Sequence, residues 1–256
     1  MIENKNMYLI SYRSLRQMIG ILGMILPFLC WGINALVNYM GLLNNPNFVN
    51  TDLSQTYIHG DNLKSSVSHY YYTASSPLFT GILITVAVFL FTYKGYKRDD
   101  ANDRYSWITD RFLCTFAAIC LLGIVTFPTG THTAITDNFV IFVASDLVGN
   151  IHIWFAGGFF MSMALMSLVN FRRHPGKVFI KDNEGTVYLV CGCIMLAGIL
   201  ILCMYFVFDN SNSWLNGKFV FVNEVVMLCF FGIAWLVKGK SIPTAYLLRK
   251  MQSDTI

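Results

Sequence analysis

Long apolar runs alternate with short polar segments along most of the chain. Six of the runs are long enough to cross a bilayer, since a spanning helix needs roughly 20 residues. They lie near residues 17–40, 77–96, 111–128, 151–171, 186–208 and 219–237. The pattern predicts an all-α fold, a polytopic bundle of six transmembrane helices that forms one integral membrane domain over residues 1–256.

Two apolar stretches need a closer look. The first run could be mistaken for a signal peptide, but it is too long and no small-residue cleavage site follows it, so we expect it to remain a span. Residues 139–143 form an apolar stretch that is too short to span. We expect it to form a helix at the interface or against the bundle.

The composition argues for a membrane protein. Hydrophobic residues make up 55% of the chain and charged residues 12%, whereas a soluble domain carries about a quarter charged residues. The mean hydropathy is +0.53. These values argue against a soluble globular domain, a disordered chain and a disulfide-stapled secreted module.

The positive charges are divided unevenly between the two sides of the predicted membrane domain. If the N-terminal side is inside, 16 of the 18 Lys and Arg residues fall on inside segments, and only Lys64 and Lys218 fall outside. Inside loops of membrane proteins are enriched in Lys and Arg, so we expect both termini to be cytoplasmic. The formal net charge of +4 then reflects topology, and no nucleic-acid partner is expected.

The seven cysteines all lie in apolar runs, and no CxxC pair occurs among them. Cys191 and Cys193 form a CxC, whose side chains leave a helix on different faces. Free Cys usually behaves as a small buried hydrophobe. We therefore expect unpaired packing residues, without a disulfide framework or a structural zinc site.

Two ionisable residues stand out because polar groups inside a membrane are costly and usually face protein or water. Glu224 is the only acidic residue well inside a span, about six residues after Lys218, or roughly 9 Å along a helix. His152 begins the fourth span at a similar depth on the same side. We expect both to share one outward-facing site, as an acid/base pair or as a lock between helices.

Amides and hydroxyls cluster at the same outer side. Asn34 and Asn38 lie four residues apart, on one face of the first span. Thr129 follows Pro128 at the outer end of the third span. Asn can bind a ligand or join neighbouring helices, and Thr can bond back to its own helix, so each residue has a structural as well as a functional interpretation.

A dense polar and aromatic run, SVSHYYYT at 66–73, precedes the second span. Tyr is common at membrane interfaces because its ring is apolar and its hydroxyl is wet. Three consecutive Tyr residues cannot all face lipid, so at least one should turn toward the bundle. The run either anchors the chain at the interface or forms a wall of the site.

The same run resembles the signature of an uncharacterised bacterial family of small six-span membrane proteins, a domain of unknown function. Further matching segments are FTG at 79–81, FLFTYKGY at 89–96, FPT at 127–129, Glu224, and FGIAWLVKG at 231–239. The family is distantly similar to eukaryotic DRAM- and Frag-type membrane proteins, some of which are tied to lipid metabolism. The resemblance implies a multi-pass protein of the bacterial inner membrane and supplies no established catalytic residue.

The candidate site is an outward-facing polar pocket between the outer ends of spans one, three, four and six, under the 41–76 loop. Its catalytic candidates are Glu224, His152 and Ser68, with Ser68 or a bound water as the nucleophile. Its substrate-binding candidates are Asn34, Asn38, His69, Tyr72, Thr129 and His132. Metal ligation would need further partners, for which His69 and His132 are the nearest, so metal and cofactor stay unassigned.

Two classes of function remain open. One is a membrane-embedded enzyme or binding protein that acts on a lipid or lipid-linked substrate in the outer leaflet. The other is a non-catalytic subunit, scaffold or carrier whose polar residues lock helices. The sequence holds no HExxH, GxSxG, GxGxxG or P-loop pattern, so an ATP-driven machine is not expected.

The predicted topology can be tested with single reporter cysteines in a chain whose native cysteines are replaced. Ser54→Cys, in the 41–76 loop, should react with a membrane-impermeant maleimide on intact cells. Ser106→Cys, between spans two and three, should react only after permeabilisation, because the Lys and Arg bias places the two loops on opposite sides. The reverse labelling pattern would overturn the topology.

Overall fold

The computed structural model describes residues 2–41, 63–95, 108–130, 142, 145–173, 183–208 and 217–240. The helices in these ranges are α1 (Ile2–Tyr39), α2 (Ser76–Thr92), α3 (Asp110–Thr126), α4 (Asp146–Leu165), α5 (Asn183–Phe208) and α6 (Phe219–Lys238). A π-helical turn, Met166–Asn170, continues α4, and a 3-10 segment, Val67–Tyr72, precedes α2. The described ranges contain no strand, and the predicted all-α class is confirmed.

Four of the described helices are long and apolar enough to cross a membrane: Tyr12–Tyr39, Asp146–Asn170, Asn183–Phe208 and Phe219–Lys238. Helices α2 and α3 each have 17 residues. At 1.5 Å per residue each is about 25 Å long, a little short of the roughly 30 Å hydrocarbon core. The four long apolar helices are compatible with a membrane protein.

Large apolar side chains point outward from the bundle, and several polar ones point inward. Trp154 is 81% exposed, Leu200 64% and Met204 60%, whereas Asn34 is fully buried and His152 is 4% exposed. Hydrocarbon does not penalise exposed apolar side chains, but it does penalise unpartnered polar groups. This distribution suits helices surrounded by lipid.

The helix boundaries differ from the predicted spans by four residues or more at three places. Helix α4 begins at Asp146, five residues before the predicted 151, where the Ser145 side chain caps it. Helix α1 begins at Ile2, well before the apolar run, because helical backbone continues through its polar start. Helix α2 ends at Thr92, before the predicted 96, and Gly95 then adopts a positive φ of 65°. A side chain at Gly95 would collide with Asp110. The helix expected at 139–143 lies outside the described residues apart from residue 142.

The helices form a closed ring. Each helix packs against the next in the chain, and α6 closes the ring against α1. Gly20 of α1 and Gly232 of α6 meet at this closure: a Cβ on Gly232 would lie 2.8 Å from the Gly20 carbonyl oxygen, and a Cβ on Gly20 would lie 2.9 Å from the Gly232 oxygen. Small residues allow helix backbones to approach closely, so this pair brings the two backbones into contact.

The end of the ring opposite the 67–72 segment carries cations and aromatic rings, and we call it the basic end. Arg16 Nε donates to the Tyr93 hydroxyl oxygen at 3.2 Å. Lys238 Nζ donates to the Phe171 carbonyl oxygen at 3.2 Å and lies 5.3 Å from the centre of the Phe171 ring. The Trp235 ring packs against the rings of Tyr93 and Phe171, with centroids 5.2 Å apart in each pair.

All seven cysteines belong to the described part of the chain, and each is a free thiol. Cys30, Cys114, Cys120 and Cys191 are buried, Cys229 is half-buried, and Cys193 and Cys203 are exposed. Burial was therefore the wrong expectation for the last two. A thiol is apolar enough to stand on the outer face of an apolar helix.

The Gly232 contact can be tested by substitution. Gly232→Ala should lower the free energy of unfolding by about 1–3 kcal/mol, because the new methyl group would press on the Gly20 backbone. The matched control is Gly81→Ala on α2, where a Cβ meets nothing within 4 Å; it should be neutral or stabilising by about 0.5–1 kcal/mol. Equal unfolding curves for the two variants in mixed micelles would contradict this packing.

Candidate functional site

The 67–72 segment, with Ser65 just before it, is held inside one end of the ring by hydrogen bonds to α6 and to the chain after α3. The Phe221 N–H donates to the Ser65 carbonyl oxygen at 2.9 Å. The Val67 N–H donates to Glu224 Oε2 at 2.7 Å. The Tyr72 hydroxyl donates to the Thr129 carbonyl oxygen at 2.7 Å. The segment is therefore part of the packed bundle, and we call this end of the ring the site end.

Ser68 and His152 form a hydrogen-bonded pair that the end of α3 orients. Ser68 Oγ lies 2.8 Å from His152 Nε2, and His152 Nδ1 lies 2.7 Å from the Phe127 carbonyl oxygen. A carbonyl oxygen can only accept, so Nδ1 carries the proton of the neutral ring. Nε2 is then the acceptor, and the Ser68 hydroxyl donates to it. A serine hydroxyl, a histidine base and a group that orients the base are the parts of an activated nucleophile.

The elements that carry this pair explain its geometry. Helix α3 ends at Thr126, and the carbonyl groups at the end of a helix lack intrahelical partners. Pro128 helps to end the helix because it has no N–H to continue it. Helix α4 begins at Asp146, with the Ser145 side chain capping the Val148 N–H, so His152 falls in its second turn. The free carbonyl of Phe127 thus meets the ring of His152.

Glu224 is the anchor of the 67–72 segment. Its side chain is half-buried, and its carboxylate accepts the Val67 N–H directly before Ser68. We expected Glu224 to contact His152, but in the described contacts the two residues bind consecutive positions, 67 and 68. The physical reason is that the 3-10 segment bonds to both helices, through Val67 to Glu224 of α6 and through Ser68 to His152 of α4.

A cavity lies inside the ring below Ser68. Its wall contains two residues with polar side chains, Ser68 and Glu224. The other lining residues are apolar: Leu26, Val67, Phe79, Leu83, Leu121, Ile124, Ala156, Phe159, Phe160 and Leu228. The cavity volume is about 40 Å³, and part of the space opens to the surroundings. The pocket expected to be polar is therefore mainly apolar, because most polar groups nearby bind backbone atoms instead.

Tyr70 and Tyr72 are buried, and Tyr71 is half-buried. We expected at least one Tyr of this run to turn toward the bundle, and two of them do. Burial raises the pKa of Tyr70 to about 12 and the pKa of Tyr72 above its usual range. Both hydroxyls stay protonated at neutral pH. The Tyr72 hydroxyl is therefore a permanent donor to the Thr129 carbonyl, beside the site.

The remaining predicted site residues do not line the cavity. Asn38 Nδ2 donates to the Asn34 carbonyl oxygen at 2.7 Å, within α1. His69 Nδ1 lies 2.6 Å from Ser66 Oγ and 3.2 Å from Ser65 Oγ. These residues belong to local hydrogen bonds around the segment. His132 lies outside the described residues.

The described residues contain no group of three or more His, Cys, Asp or Glu side chains that could hold a metal ion. Sequence reasoning missed two backbone groups of the site, the Phe127 carbonyl and the Val67 N–H. The Phe127 carbonyl could have been found from the sequence, since Pro128 indicates a nearby helix end, and the last carbonyl groups of a helix lack intrahelical partners. The Val67 N–H could not have been found in this way, because the amide of a residue in an irregular segment carries no side-chain cue.

The role of Glu224 as anchor predicts different results for two substitutions. Glu224→Leu should lower the free energy of unfolding by about 1–3 kcal/mol, because it leaves the buried Val67 N–H without an acceptor. Glu224→Gln should lose less, since its amide oxygen can still accept. Val222→Leu, on the exposed face of the same helix, is the control. Denaturation in mixed micelles measures the difference, and a Glu224→Leu variant as stable as the control would contradict the anchor.

Comparison of the chain with family models, curated proteins and solved structures finds no match in any of the three. The resemblance to the bacterial six-span family therefore stays an expectation from the sequence motifs. Function has to be inferred from the chemistry of the site end.

Proposed function

We propose that this protein is a membrane-embedded acyl-transfer enzyme that acts on an acyl ester of a lipid or lipid-linked substrate, with Ser68 as nucleophile and His152 as general base. The observation that carries the proposal is the direction of the hydrogen bonds. Because Phe127 fixes the His152 proton on Nδ1, Nε2 is ready to take the Ser68 proton. The acceptor nitrogen of His152 thus faces a serine on the wall of the cavity.

The reaction would run in two balanced steps. In the first, Ser68 Oγ attacks the acyl carbonyl carbon while His152 Nε2 takes the hydroxyl proton. The bond from that carbon to the leaving alcohol breaks, and the alcohol receives the proton from His152. In the second, water or an acceptor alcohol attacks the acyl-serine, His152 takes its proton, and the acid or new ester leaves as the proton returns to Ser68.

Glu224 is a positioning residue in this scheme. Its hydrogen bond to the Val67 N–H fixes the backbone directly before Ser68, and a misplacement of the nucleophile by about 1 Å can cost roughly 100-fold in rate. The cavity below Ser68 would take the acyl chain, since ten of its twelve lining residues are apolar. Apolar walls with a few polar groups are typical of ligand sites.

The proposed topology places this chemistry at the outer leaflet. We propose that all six helices span the membrane, with both termini cytoplasmic, in the inner membrane of a bacterium. Support comes from the 16-to-2 bias of Lys and Arg and from the closed ring in which α2 and α3 stand beside the four longer helices. Arg16 and Lys238 lie at the basic end, so the site end would face outward.

The non-catalytic alternative has one specific observation in its favour. Polar groups at the site end bind backbone atoms across elements, as Ser75 does when its hydroxyl donates to the Cys30 carbonyl at 2.6 Å. Such bonds can serve as locks between helices. The alternative predicts that Ser68 and Ser75 behave alike on substitution, because both are buried serines that join two elements.

A fluorophosphonate probe separates the two functions. It forms a bond from phosphorus to an activated serine oxygen and releases fluoride, so a mass gain on the peptide that contains Ser68 reports the nucleophile. The wild type and Ser75→Ala should be labelled at equal rates, and Ser68→Ala should not be labelled. His152→Gln should be labelled roughly 10²–10⁴-fold more slowly, the usual contribution of a general base.

The folded state of each variant is checked by its elution as a single species in detergent. Labelling of the wild type at the rate of an unactivated serine, or equal labelling of Ser68→Ala, would remove the acyl-transfer proposal. The helix-lock alternative would then be the better account of these residues.

A further inference from the structure

We propose that the substrate reaches Ser68 sideways from the bilayer, through a cleft between the site-end halves of α4 and α5; this rests on the acyl-transfer function proposed above. The substrate is then a lipid of the outer leaflet whose acyl chain stays in the membrane while its ester reacts. The chemistry of Ser68 and His152 alone leaves both the route and the source of the substrate open.

The cavity opens between α4 and α6. Ten of its twelve lining residues are buried, and the two half-buried ones are Ala156 of α4 and Glu224 of α6. Because part of the space opens to the surroundings, the opening lies at these two residues. Asn223, directly before Glu224, donates from Nδ2 to the Gly198 carbonyl oxygen of α5 at 3.1 Å. The opening therefore lies beside α5.

Helices α4 and α5 are in close contact nearer the basic end. A Cβ on Gly192 of α5 would collide with the Leu168 side chain of α4 and would lie 3.2 Å from the Ala164 carbonyl oxygen. Ala164 and Leu168 are four residues apart, and residues at this spacing share one face of a helix. Gly192 and Ala164 therefore mark the faces with which the two helices meet, and both residues are buried.

The same two faces are open at the site end. Ile153 lies eleven residues before Ala164, about three turns and 16 Å along the same face of α4, and it is 44% exposed. Cys203 lies eleven residues after Gly192 on the matching face of α5, and it is exposed. At Gly157, two turns before Ala164, a Cβ would meet nothing within 4 Å. The two helices thus diverge toward the site end and leave the cleft between them.

The cleft leads to the opening of the cavity. Ile153 lies about one helical turn before both Ala156 and Gly157, so its exposed side chain stands beside the half-buried part of the cavity wall. The base follows the same helix, since His152 directly precedes Ile153. An ester carbonyl held at Ser68 can therefore extend its chain past Ala156 into the cleft.

A lipid acyl chain is the occupant that fits this path. The cleft joins a mainly apolar cavity to the outer faces of α4 and α5, and both helices are long and apolar enough to cross a membrane. A chain that moves from the bilayer into the cleft exposes no apolar surface to water on the way. A water-soluble ester would instead have to lose its hydration in order to pass apolar walls.

Gly157 and Gly81 offer a matched pair for the test. A Cβ at either glycine would meet nothing within 4 Å, so each site has space for a larger side chain. Helical side chains lean toward the N-terminus of their helix, so Gly157→Trp would fill the cleft beside Ile153. Gly81→Trp would stand on the exposed side of α2, outside the cavity lining.

The assay compares two fluorophosphonates on purified protein in phospholipid nanodiscs. One carries a dodecyl chain and resides in the bilayer, and the other carries a methyl group and is water-soluble. Gly157→Trp should lower the rate of Ser68 labelling by the dodecyl probe, relative to the methyl probe, by at least about 10-fold, the lower end of the cost of one misfitting methylene. Gly81→Trp should leave this ratio at the wild-type value.

Two exposed thiols keep the test decisive if Gly157→Trp fails to fold. Cys193 is exposed like Cys203, but it lies about 100° around α5 from Gly192, on a side that does not face α4. A bulky maleimide on Cys203, in the variant Cys193→Ser, should lower the same ratio. The same maleimide on Cys193, in the variant Cys203→Ser, should leave it unchanged.

The outcomes separate the route from the reaction. An unchanged ratio in folded Gly157→Trp, or with the maleimide on Cys203, would overturn the lateral entrance alone, provided that the methyl probe labels Ser68 in the wild type. Absence of Ser68 labelling by both probes in the wild type would instead remove the acyl-transfer function itself.

Discussion

The hydrogen bond from the Val67 N–H to the Glu224 carboxylate is the contact on which the geometry of the site end depends. An irregular segment can enter a ring of helices only if its amides find acceptors, because a buried unpaired donor costs about 1–3 kcal/mol. Glu224 supplies that acceptor from α6, and the Phe221 N–H adds a second bond to the Ser65 carbonyl. With the segment fixed at these points, the next residue, Ser68, is presented to both the cavity and His152.

Helix ends complete the site. Helix α3 ends before Phe127, and the Phe127 carbonyl turns its free acceptor to His152. Just beyond, the Thr129 carbonyl accepts the Tyr72 hydroxyl and holds the far end of the 67–72 segment. Orphan carbonyls at a helix end need partners wherever water is scarce. In this ring the partners are the His152 ring and the Tyr72 hydroxyl. The end of α3 therefore also sets the tautomer of His152.

Buried polar groups have different partners at the two ends of the ring. At the basic end, Lys238 places its ammonium against the ring and the carbonyl of Phe171, where cation–π attraction and a charge-assisted hydrogen bond stabilise it. At the site end, neutral hydroxyls and one carboxylate bind backbone groups. The packed rings of Phe159, Phe231, Trp235 and Phe171 stand between the two ends and separate the cavity from the cations.

The apolar periodicity and the composition of the sequence were sufficient to predict the helices. The chemistry of single side chains was sufficient to identify several residues of the site. Each apolar run falls largely within one of the helices α1–α6, because a helix that crosses lipid or packs in a bundle needs apolar residues along most of its length. Glu224, His152 and Ser68 could be singled out because a polar side chain in an apolar setting is costly and therefore noticeable. Their residue types limited the chemistry to acid/base and nucleophilic roles.

Their partners could not be read in the same way. Val67 and Phe127 act through backbone atoms, which every residue possesses. Only the folded structure shows which of these atoms meet Glu224 and His152. The cavity is likewise defined by residues such as Leu83 that are ordinary in any apolar helix. Whether such a side chain fills the interior or borders an empty space depends on the distances between helices, and those distances exist only once the ring has closed.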